Sequence, residues 1–404
     1  MRILVISHLF PTNSNRHFGI FSARQFMTMR DQGAEVIVFV PMVWIPTPLT
    51  WLRKAWRRRF AERALVKYDG IETHQVPYVR LTRGFWSCRW EGLSVYLAMK
   101  KQVLAMHRKK PFDAIYGKCF FPGADTAVRL SKLLHIPAIG EGIGSDVHVA
   151  PNYSKTMYNH FVKVANALDG AVADGKSVAD KISAVSGKTV PTVHGLVNLD
   201  IFAPAEDKMA VRQILNLPRS GYIILFVGGL KDTKGVYEML DAFCRVRLTI
   251  PPSILKICGT GQEYASLKAI ITERRLETCV TLVGAVEADE VAKWMQASDV
   301  LILPSYSEGM PNVVMEAMAC GLPVISTRVG GLPEAVGSCK GAILIEPKNV
   351  EQLEEAMVRI AKDPDLQIRM SIAARQKAVA EFGAIPNTQK IIDFVGSVIS
   401  NYKQ

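Results

Sequence analysis

Two glutamates, Glu308 and Glu316, lie eight positions apart where a predicted strand passes through a loop into a helix. The apolar run Val300–Leu303 predicts the strand, and helical sequence resumes at Asn312 after a glycine and two prolines. In open α/β sheets, ligands bind outside the carboxyl ends of the strands, which is where this junction falls. The first turn of a helix presents free backbone N–H groups and favours anions. The pair therefore indicates a nucleotide-sugar site, in which one carboxylate holds sugar hydroxyls and the other holds ribose hydroxyls.

The same glutamates also fit an interpretation without a site. Acidic residues are common near helix N-termini and on exposed helix faces, so the spacing by itself leaves both interpretations open. The glycines, prolines and small residues around the pair favour the binding site.

Three glycine-containing loops follow strands in the second half of the chain. The first, VGGLKDTKG, places Gly229 beside Lys231 and Lys234, whose ammonium groups suit a diphosphate. Gly259 and Gly284 begin the two later loops, and the backbone after Gly284 can read a nucleobase edge. Taken alone, the first loop also fits a plain glycine turn with surface lysines, and it lacks the spacing of a P-loop or a dinucleotide fingerprint. The position of every loop at the carboxyl end of a strand favours a donor site.

The first half of the chain has glycines and polar residues in comparable positions. Gly19 lies between the first strand and a helix, where the turn can approach a diphosphate. Asp146 and His148 follow a glycine-rich strand end, where they can contact an acceptor or a sugar hydroxyl. A single histidine in such a place is more often structural, so we predict no catalytic role for His148.

Strand-like apolar runs alternate with helical segments along the whole chain, which is typical of parallel sheets covered by helices. With 404 residues, the chain is too long for one hydrophobic core. We predict an α/β protein with two facing, doubly wound Rossmann-like domains and an interdomain cleft. The first domain covers 1–202 and receives a C-terminal helix, 384–404, and the second covers 203–383 after the connection DIFAPAED.

Charge is distributed unevenly along the chain, whose formal net charge is +12. Residues 1–200 carry 27 Lys and Arg against 14 Asp and Glu, whereas residues 201–404 carry 22 against 23. Seven basic residues fall within 47–67 among aromatic side chains, which is typical of a segment that binds anionic lipid. The membrane-binding residues predicted there are Trp51, Trp56, Arg57, Arg58, Arg59 and Phe60. A solvated basic helix whose tryptophans pack on the domain is the alternative, and no nucleic-acid motif accompanies the charge.

The cysteines and the N-terminus bear on the compartment. Seven cysteines are scattered without CxxC spacing, which predicts reduced thiols and no zinc site. The start, MRILVISHLFP, has too short an apolar run for a signal peptide and predicts the first strand. The longest uncharged run, Val36–Leu52, contains prolines and does not suit a membrane span. We therefore predict a cytoplasmic protein that is peripheral on the inner face of the cell membrane.

The second half carries an ordered series of motifs: VGGLKDTKG, GTGQEYASL, VTLVGAV, ASDVLILPSYSEGMPNVVMEAMACGLPVIST and VGGLPEAV. With them the chain resembles the retaining glycosyltransferases of the family-4 type, most specifically between Tyr222 and Pro347. The first half supports the resemblance with HFGIFSARQ, FPGADTAVRLSKLLHIP and GSD. The resemblance implies the GT-B fold and extends to enzymes of bacterial cell-surface polysaccharide assembly, including teichuronic acid biosynthesis.

The resemblance assigns roles to residues at matching positions. Glu308 would hold the donor sugar, Glu316 the ribose hydroxyls, and Lys234 would neutralise the diphosphate leaving group. The predicted catalytic group is Glu308, Lys234 and Asp146. The predicted donor-binding residues are Gly19, Gly229, Lys231, Gly259, Gly284, Gly309, Met310, Pro311, Asn312, Val313 and Glu316. The predicted acceptor-side residues are Lys118 and His148.

Three positions depart from the usual pattern of this family. Gly229 stands where an arginine is frequent, which removes one charge from the diphosphate site. Tyr116 and Lys118 stand where a His-x-His pattern is usual, and Ile143 stands where a histidine or arginine often precedes GSD. The last two departures fall on the acceptor side and leave the identity of the acceptor open.

Together these features predict a retaining hexosyltransferase that uses a nucleoside diphosphate sugar and a hydroxyl acceptor, without a metal or other cofactor. The expected acceptor is a saccharide, a lipid-linked saccharide or a growing cell-surface polysaccharide, and the expected surface is an anionic membrane. Nucleic acid is not an expected partner. Two alternatives stay open, namely a nucleotide-sugar epimerase on the same fold and a non-catalytic protein of polysaccharide assembly at the membrane surface.

Overall fold

The computed structural model describes most of the chain. The described residues are 1–12, 18–44, 67–80 and 88–403. The predicted membrane-binding residues lie outside them: Trp51, Trp56, Arg57, Arg58, Arg59 and Phe60.

The chain divides into two compact units. Unit 1 comprises Met1–Leu196 with Ala384–Gln404, and unit 2 comprises Val197–Gly383. Residues 197–202, which the sequence analysis placed in the first domain, therefore belong to unit 2. A hydrogen bond ties the start of this segment to unit 2, because Val197 N donates to Phe382 O near the other end of the same unit.

Strands and helices alternate in both units. The described strands are β1 (Arg2–Ile6), β2 (Glu35–Val43), β3 (Lys67–Tyr68), β4 (Ile71–Tyr78), β5 (Ala114–Lys118), β6 (Ala138–Gly142), β7 (Gly170–Ala173), β8 (Tyr222–Val227), β9 (Ser253–Cys258), β10 (Val280–Gly284), β11 (Val300–Leu303), β12 (Val324–Thr327) and β13 (Ala342–Ile345). The described α-helices are α1 (Ile20–Asp31), α2 (Cys88–Lys109), α3 (Asp125–Leu134), α4 (Ser145–His148), α5 (Lys155–Ala167), α6 (Lys176–Ser186), α7 (Lys208–Ile214), α8 (Val236–Thr249), α9 (Tyr264–Glu273), α10 (Ala288–Ala297), α11 (Asn312–Ala319), α12 (Leu332–Val336), α13 (Val350–Lys362), α14 (Pro364–Glu381) and α15 (Ala384–Tyr402).

The described strands of unit 1 form a seven-stranded sheet in the order β3-β4-β2-β1-β5-β6-β7, and among them only the β3–β4 pair is antiparallel. Side chains of β1 alternate between two cores, since Ile3 and Val5 pack with α1 and α15. Leu4 and Ile6 pack on the other face with α2, α3 and α5. Helices thus cover both faces, as a parallel sheet requires.

The sheet of unit 2 has six parallel strands in the order β10-β9-β8-β11-β12-β13. Its central strand β8, YIILFV, is apolar along its whole length because helices cover both of its faces. The predicted α/β class is confirmed in both units. The strands β3, β4 and β13 were not predicted from the sequence, and β3 has only two residues. β4 has the sequence IETHQVPY with polar residues on alternate positions, and β13 has only four residues.

None of the described helices has both the length and the apolar character that a membrane span requires.

Candidate active site

The sheet of unit 2 reverses its strand order next to β8. The chain passes from β8 to β9 and β10 on one side, and then returns to place β11 on the other side of β8. Such a switch point opens a crevice at the carboxyl ends of the two strands, where ligands bind in open α/β sheets. The loops after β8 and β11 carry Lys234 and Glu308, so the strand order brings together two residues that are 74 apart in sequence.

Lys234 and Glu308 form an ion pair at this switch point. Lys234 Nζ donates to Glu308 Oε1 over 2.5 Å, and Ser305 Oγ donates to the same oxygen over 2.6 Å. Tyr306 N donates to Thr233 O over 2.8 Å, which joins the two loops through their backbones. The Glu308 side chain is 9% exposed and that of Lys234 is 24% exposed. The carboxylate therefore holds an ammonium group that still reaches solvent.

The backbone of Glu308 rests against a glycine turn. Gly331 N donates to Gly309 O over 2.8 Å. Gly330 has a φ of +55°, and a Cβ there would lie 1.8 Å from Glu308 O. Only glycine fits this position, because any side chain would overlap the Glu308 carbonyl. The VGGLPEAV motif thus supports the loop that carries the carboxylate.

Helix α11 begins after the Glu308 loop at Asn312, and Pro311 before it provides no side-chain cap. The first N–H groups of a helix have no partner within the helix, so this end can bind an anion. Glu316 lies about one turn into α11 and is half-buried. Burial, followed by the charge of Glu316, raises the pKa of Cys320 to about 12. The structure thus places one carboxylate on the loop and the other on the helix.

The three glycine loops of unit 2 meet at the same edge of the sheet. Gly259 N donates to Gly284 O over 2.6 Å, and Gly228 N donates to Cys258 O over 3.0 Å. These bonds join the loops that follow β8, β9 and β10. Two predicted donor-binding residues are exposed on the first of them: Gly229 and Lys231.

Unit 1 contains a cavity of about 310 Å³ at the carboxyl ends of β1, β4, β5 and β6, which we call the inner cavity. One wall holds an ion pair, in which Arg80 Nε donates to Glu91 Oε1 over 2.9 Å. Tyr78 Oη donates to the second oxygen of Glu91 over 3.2 Å. The polar lining residues include His8, Tyr78, Arg80, Glu91, Ser145 and Asp146.

Asp146, predicted in the catalytic group, is buried in the wall of the inner cavity. Its carboxylate accepts hydrogen bonds from Phe120 N over 2.7 Å and from Ile143 N over 3.1 Å. Burial outweighs these bonds and raises the pKa of Asp146 to about 6. A carboxyl group with this pKa can exchange a proton with a hydroxyl near neutral pH.

His8 lines the inner cavity and was missed by the sequence analysis. Burial, with a smaller contribution from Arg80, lowers the pKa of His8 to about 4, so the ring is neutral at physiological pH. Among the described residues, His8 Nδ1 has no hydrogen-bond partner. A neutral imidazole can donate or accept at this atom, depending on the tautomer. The position of His8, two residues after β1, was the signal that the sequence offered.

Lys118, predicted on the acceptor side, is 2% exposed and is not in the lining of the inner cavity. Its Nζ donates to Glu141 Oε1 over 2.6 Å and also to Gln25 Oε1. Tyr116 Oη donates to Glu141 Oε2 over 2.7 Å. Tyr116 and Lys118, which both depart from the family pattern, thus belong to one buried network that joins β5, β6 and α1. A role toward an acceptor stays a prediction.

His148 and Gly19 also lie outside the lining of the inner cavity. His148 Nε2 lies 3.2 Å from Ser177 Oγ, and burial with the charge of Lys181 lowers the pKa of His148. Gly19 is the N-cap of α1 with a φ of +66°. A Cβ there would lie 2.3 Å from the backbone of Leu9, which lines the cavity.

Residues 207–377 match the model of the family described as glycosyl transferases group 1. Unit 2 carries a group 1 glycosyl transferase domain. The matched residues include Lys234, Glu308 and Glu316, so the switch-point site lies within this domain. Among the described residues, no group of three or more His, Cys, Asp or Glu side chains has an arrangement suited to a metal ion. Independence from metal stays a prediction.

Similarity to glycosyltransferases extends beyond the group 1 domain. The chain is 26% identical over 392 residues to TuaC of Bacillus subtilis (strain 168), which is assigned to teichuronic acid biosynthesis as a glycosyltransferase. The match covers 97% of this chain and 97% of TuaC.

Solved structures match this chain over almost its whole length. A sucrose-phosphate synthase from Thermosynechococcus elongatus has a TM-score of 0.77 and 20% identity, over 99% of this chain and 100% of that one. HepE of Anabaena, solved in complex with UDP, has a TM-score of 0.72 and 17% identity, over 98% of this chain and 99% of HepE. These likenesses show the GT-B type of fold, as the sequence analysis predicted.

Proposed function

We propose that the protein is a retaining glycosyltransferase that moves a hexosyl group from a nucleoside diphosphate sugar to a hydroxyl of a saccharide or a lipid-linked saccharide. The observation that carries the proposal is the 2.5 Å ion pair between Lys234 and Glu308 at the switch point of the group 1 domain. The complexes of HepE with UDP and with UDP-glucose support a nucleotide-sugar donor. The similarity to TuaC over nearly the whole chain supports an acceptor in cell-surface polysaccharide assembly.

The lysine and the helix start act on the leaving group. When the bond from the anomeric carbon to the diphosphate breaks, negative charge develops on the phosphate oxygen. The ammonium group of Lys234 and the backbone N–H groups at the start of α11 stabilise this charge, because they are held in place before the reaction. Glu308 positions Lys234 and holds a sugar hydroxyl through its remaining acceptor sites, and Glu316 holds the ribose.

The hydrogen bonds of Glu308 also favour one route to retention. Double displacement requires a carboxylate nucleophile on the face opposite the leaving group. Glu308 Oε1 already accepts from Lys234 and Ser305, which suits binding better than attack. The proposed step is therefore a same-face displacement. The acceptor oxygen bonds to the anomeric carbon as the carbon–phosphate oxygen bond breaks, and the acceptor proton passes to the departing diphosphate.

The inner cavity of unit 1 is the proposed place of the acceptor. Its volume of about 310 Å³ is near the lower end of the range for small-molecule sites. His8 Nδ1, which has no partner among the described residues, and the protonatable Asp146 can hold hydroxyl groups there.

The test incubates the purified full-length protein with labelled nucleoside diphosphate sugars and with membrane-extracted acceptors. We expect a glycosylated product whose anomeric configuration, read by NMR, matches that of the donor. Lys234→Met should lower kcat by about 10²–10³-fold, because one preorganised charge is lost from the transition state. Lys268→Met, which removes an exposed lysine of α9, should leave kcat unchanged. Equal activity in both variants would contradict the proposed role of Lys234.

Incubation of the protein with the donor alone separates the proposed transferase from the epimerase alternative. A transferase hydrolyses the donor slowly at most, whereas an epimerase converts it to an isomeric nucleotide sugar. A panel of nucleotide sugars in a thermal-shift assay tests binding directly, since a ligand that binds only the folded state raises the melting temperature. If no nucleotide sugar shifts the melting temperature and none is turned over, the proposal is wrong.

A further inference from the structure

Unit 1 has a second cavity, of about 420 Å³, which we call the outer cavity. It lies in the helix layer and is lined by residues of α2, α3 and α5. None of its lining residues also lines the inner cavity. Apolar side chains form part of its wall: Tyr96, Val128, Leu133, Val164 and Ala167.

The charged groups of the outer cavity are mostly basic. Arg129 and Lys132 are three residues apart on α3, and His160 and Lys163 are three residues apart on α5, so each pair shares a helix face. Asp125 is the one acidic residue in the lining. Arg129, Lys132 and Lys163 bring three positive charges to the lining, and Asp125 brings one negative charge.

Both carboxylate oxygens of Asp125 have partners within the wall of the outer cavity. Its side chain is 4% exposed, and its Oδ1 accepts from Arg129 Nε over 3.1 Å. Its Oδ2 lies 3.1 Å from His160 Nε2. The His160 ring also stacks on Phe121, with centroids 5.4 Å apart. Asp125 thus anchors an arginine and a histidine in fixed orientations, and these contacts preorganise the basic wall.

Three cationic side chains in the lining of the outer cavity have N–H groups that donate to no protein acceptor among the described residues. In the part of the chain that the structure describes, the Nη groups of Arg129 donate to no protein acceptor. Within the same residues, neither Lys132 nor Lys163 has an ion-pair partner, and both are exposed. Three like charges around one cavity, of which only Arg129 is paired with a carboxylate of the described residues, repel each other and are stabilised by a bound anion.

We propose that the outer cavity binds a phosphate monoester on a compact body, through Arg129, Lys132 and Lys163. The net charge of the lining matches a phosphate group, which carries between one and two negative charges at neutral pH, better than a carboxylate. Arg129 offers a planar fork for phosphate oxygens, and the lysines add point charges. The apolar wall accommodates the body of the ligand, and the volume suits a small molecule. The site is separate from the donor site in unit 2, so it does not depend on the proposed transfer reaction.

The binding experiment is isothermal titration calorimetry of the full-length protein with hexyl phosphate, inorganic phosphate and hexanol. We expect hexyl phosphate to bind more tightly than inorganic phosphate, and hexanol not to bind. The triple variant Arg129→Gln, Lys132→Gln, Lys163→Gln should weaken the binding of hexyl phosphate by roughly tenfold or more. The control variant Lys101→Gln, Lys109→Gln, Lys176→Gln removes the same charge from exposed positions outside the cavity and should bind like the wild type.

Near-UV circular dichroism and melting temperature establish that both variants are folded. If the wild type fails to bind hexyl phosphate at about 10 mM, or if the two triple variants bind it equally, the proposal is overturned.

A vesicle experiment identifies the source of the phosphate. The proteins are sedimented with vesicles of phosphatidylcholine that contain phosphatidic acid, whose headgroup is a phosphate monoester. Weaker vesicle binding by the cavity variant than by the control variant assigns the site to a lipid headgroup. Equal vesicle binding, together with loss of hexyl phosphate binding, assigns it to a free phosphorylated molecule. If neither kind of binding differs between the two variants, the outer cavity is not a phosphate site.

Discussion

Lys118 shows how the surroundings of a residue change the meaning of its type. In the sequence it is a lysine at the end of a strand, suited to an acceptor. In the structure its ammonium group is buried with Glu141, Gln25 and Tyr116. A buried ion pair is a weak source of net stability, but removing one partner leaves an uncompensated charge. Tyr116 and Lys118 are therefore held together by one buried hydrogen-bonded network with Glu141 and Gln25.

We expect Lys118→Met to lower the free energy of unfolding by about 3–5 kcal/mol, because the Glu141 carboxylate loses its cation. The double variant Lys118→Met, Glu141→Gln should lose less than the sum of the single losses, since no charge is then left unpaired. Urea unfolding followed by tryptophan fluorescence measures both effects. Lys101→Met, on an exposed position of α2, is the matched control and should change stability by less than about 0.5 kcal/mol. Additive losses would argue against a coupled pair.

Asp146 has a consequence for stability at different pH values. Its ordinary pKa is 3.8, and burial raises it to about 6 in the folded protein, so protonation favours the folded state. This contribution is complete below the ordinary pKa and is lost as the pH rises through about 6. In the wild type, this group should lower the unfolding free energy by roughly 3 kcal/mol as the pH rises from about 4 to about 7. We expect this decrease to be absent in Asp146→Asn. Urea titrations at both pH values measure it, with the exposed Asp200→Asn as control. The same pH dependence in both variants would show that the Asp146 carboxyl group is not the source.

At the scale of elements, the loops of unit 2 are positioned by their backbones as much as by their side chains. Loops after β8, β9 and β10 are hydrogen-bonded to one another, and the Glu308 loop rests on the turn at Gly330. Gly330 can therefore control the geometry of the proposed donor site through the backbone of Glu308.

Two glycines with similar φ angles allow a matched test of this support. Gly330 has a φ of +55° and a Cβ would overlap the Glu308 carbonyl, whereas Gly187 has a φ of +67° with open space around it. Gly187→Ala should cost only the backbone strain of about 1–2 kcal/mol. Gly330→Ala should cost more and should also weaken UDP binding, because the Glu308 loop must shift. Calorimetry with UDP and urea unfolding measure both quantities. If the two variants lose equal stability and bind UDP equally well, the turn does not support the site.

At the scale of the whole molecule, the asymmetry of charge is the main feature that bears on localisation. The excess of basic residues lies in 1–200, while 201–404 is almost balanced. Residues 1–200 also contain the basic aromatic segment 47–67. A basic segment near an anionic surface gains attraction that salt screens. Peripheral binding at the inner face of the membrane therefore remains our prediction.

We expect the protein to sediment with phosphatidylglycerol vesicles and to be released by high salt. Neutralising Arg57, Arg58 and Arg59 to glutamine should weaken this binding by roughly 100-fold, since each basic residue near the surface contributes about 1 kcal/mol. The control is Lys101→Gln, Lys109→Gln, Lys176→Gln, which removes the same net charge elsewhere in the first half. If both variants bind the vesicles as tightly as the wild type, the segment does not bind the membrane.

Much of the fold, and the local placement of the residues of the proposed donor site, could be predicted from local sequence. Apolar runs of strand length, helical segments between them and glycines at their junctions are patterns that short segments carry by themselves, and they predicted the α/β class. The loop position of Glu308 and the helical position of Glu316 followed from the same patterns. β4 was missed because its alternating polar residues resemble a surface segment until its pairing with β2 is seen.

Three features were decided by the tertiary structure. The order of strands in unit 2 places β8 beside β11, and this brings Lys234 to Glu308 across 74 residues. The burial of Lys118 with Glu141 and the meeting of His8 with Asp146 in one cavity also depend on strand order in unit 1. Local patterns determine which elements form, because they depend on neighbouring residues. Which loops become neighbours, and which charges lose contact with water, depends on packing between distant segments, and no local pattern contains that information.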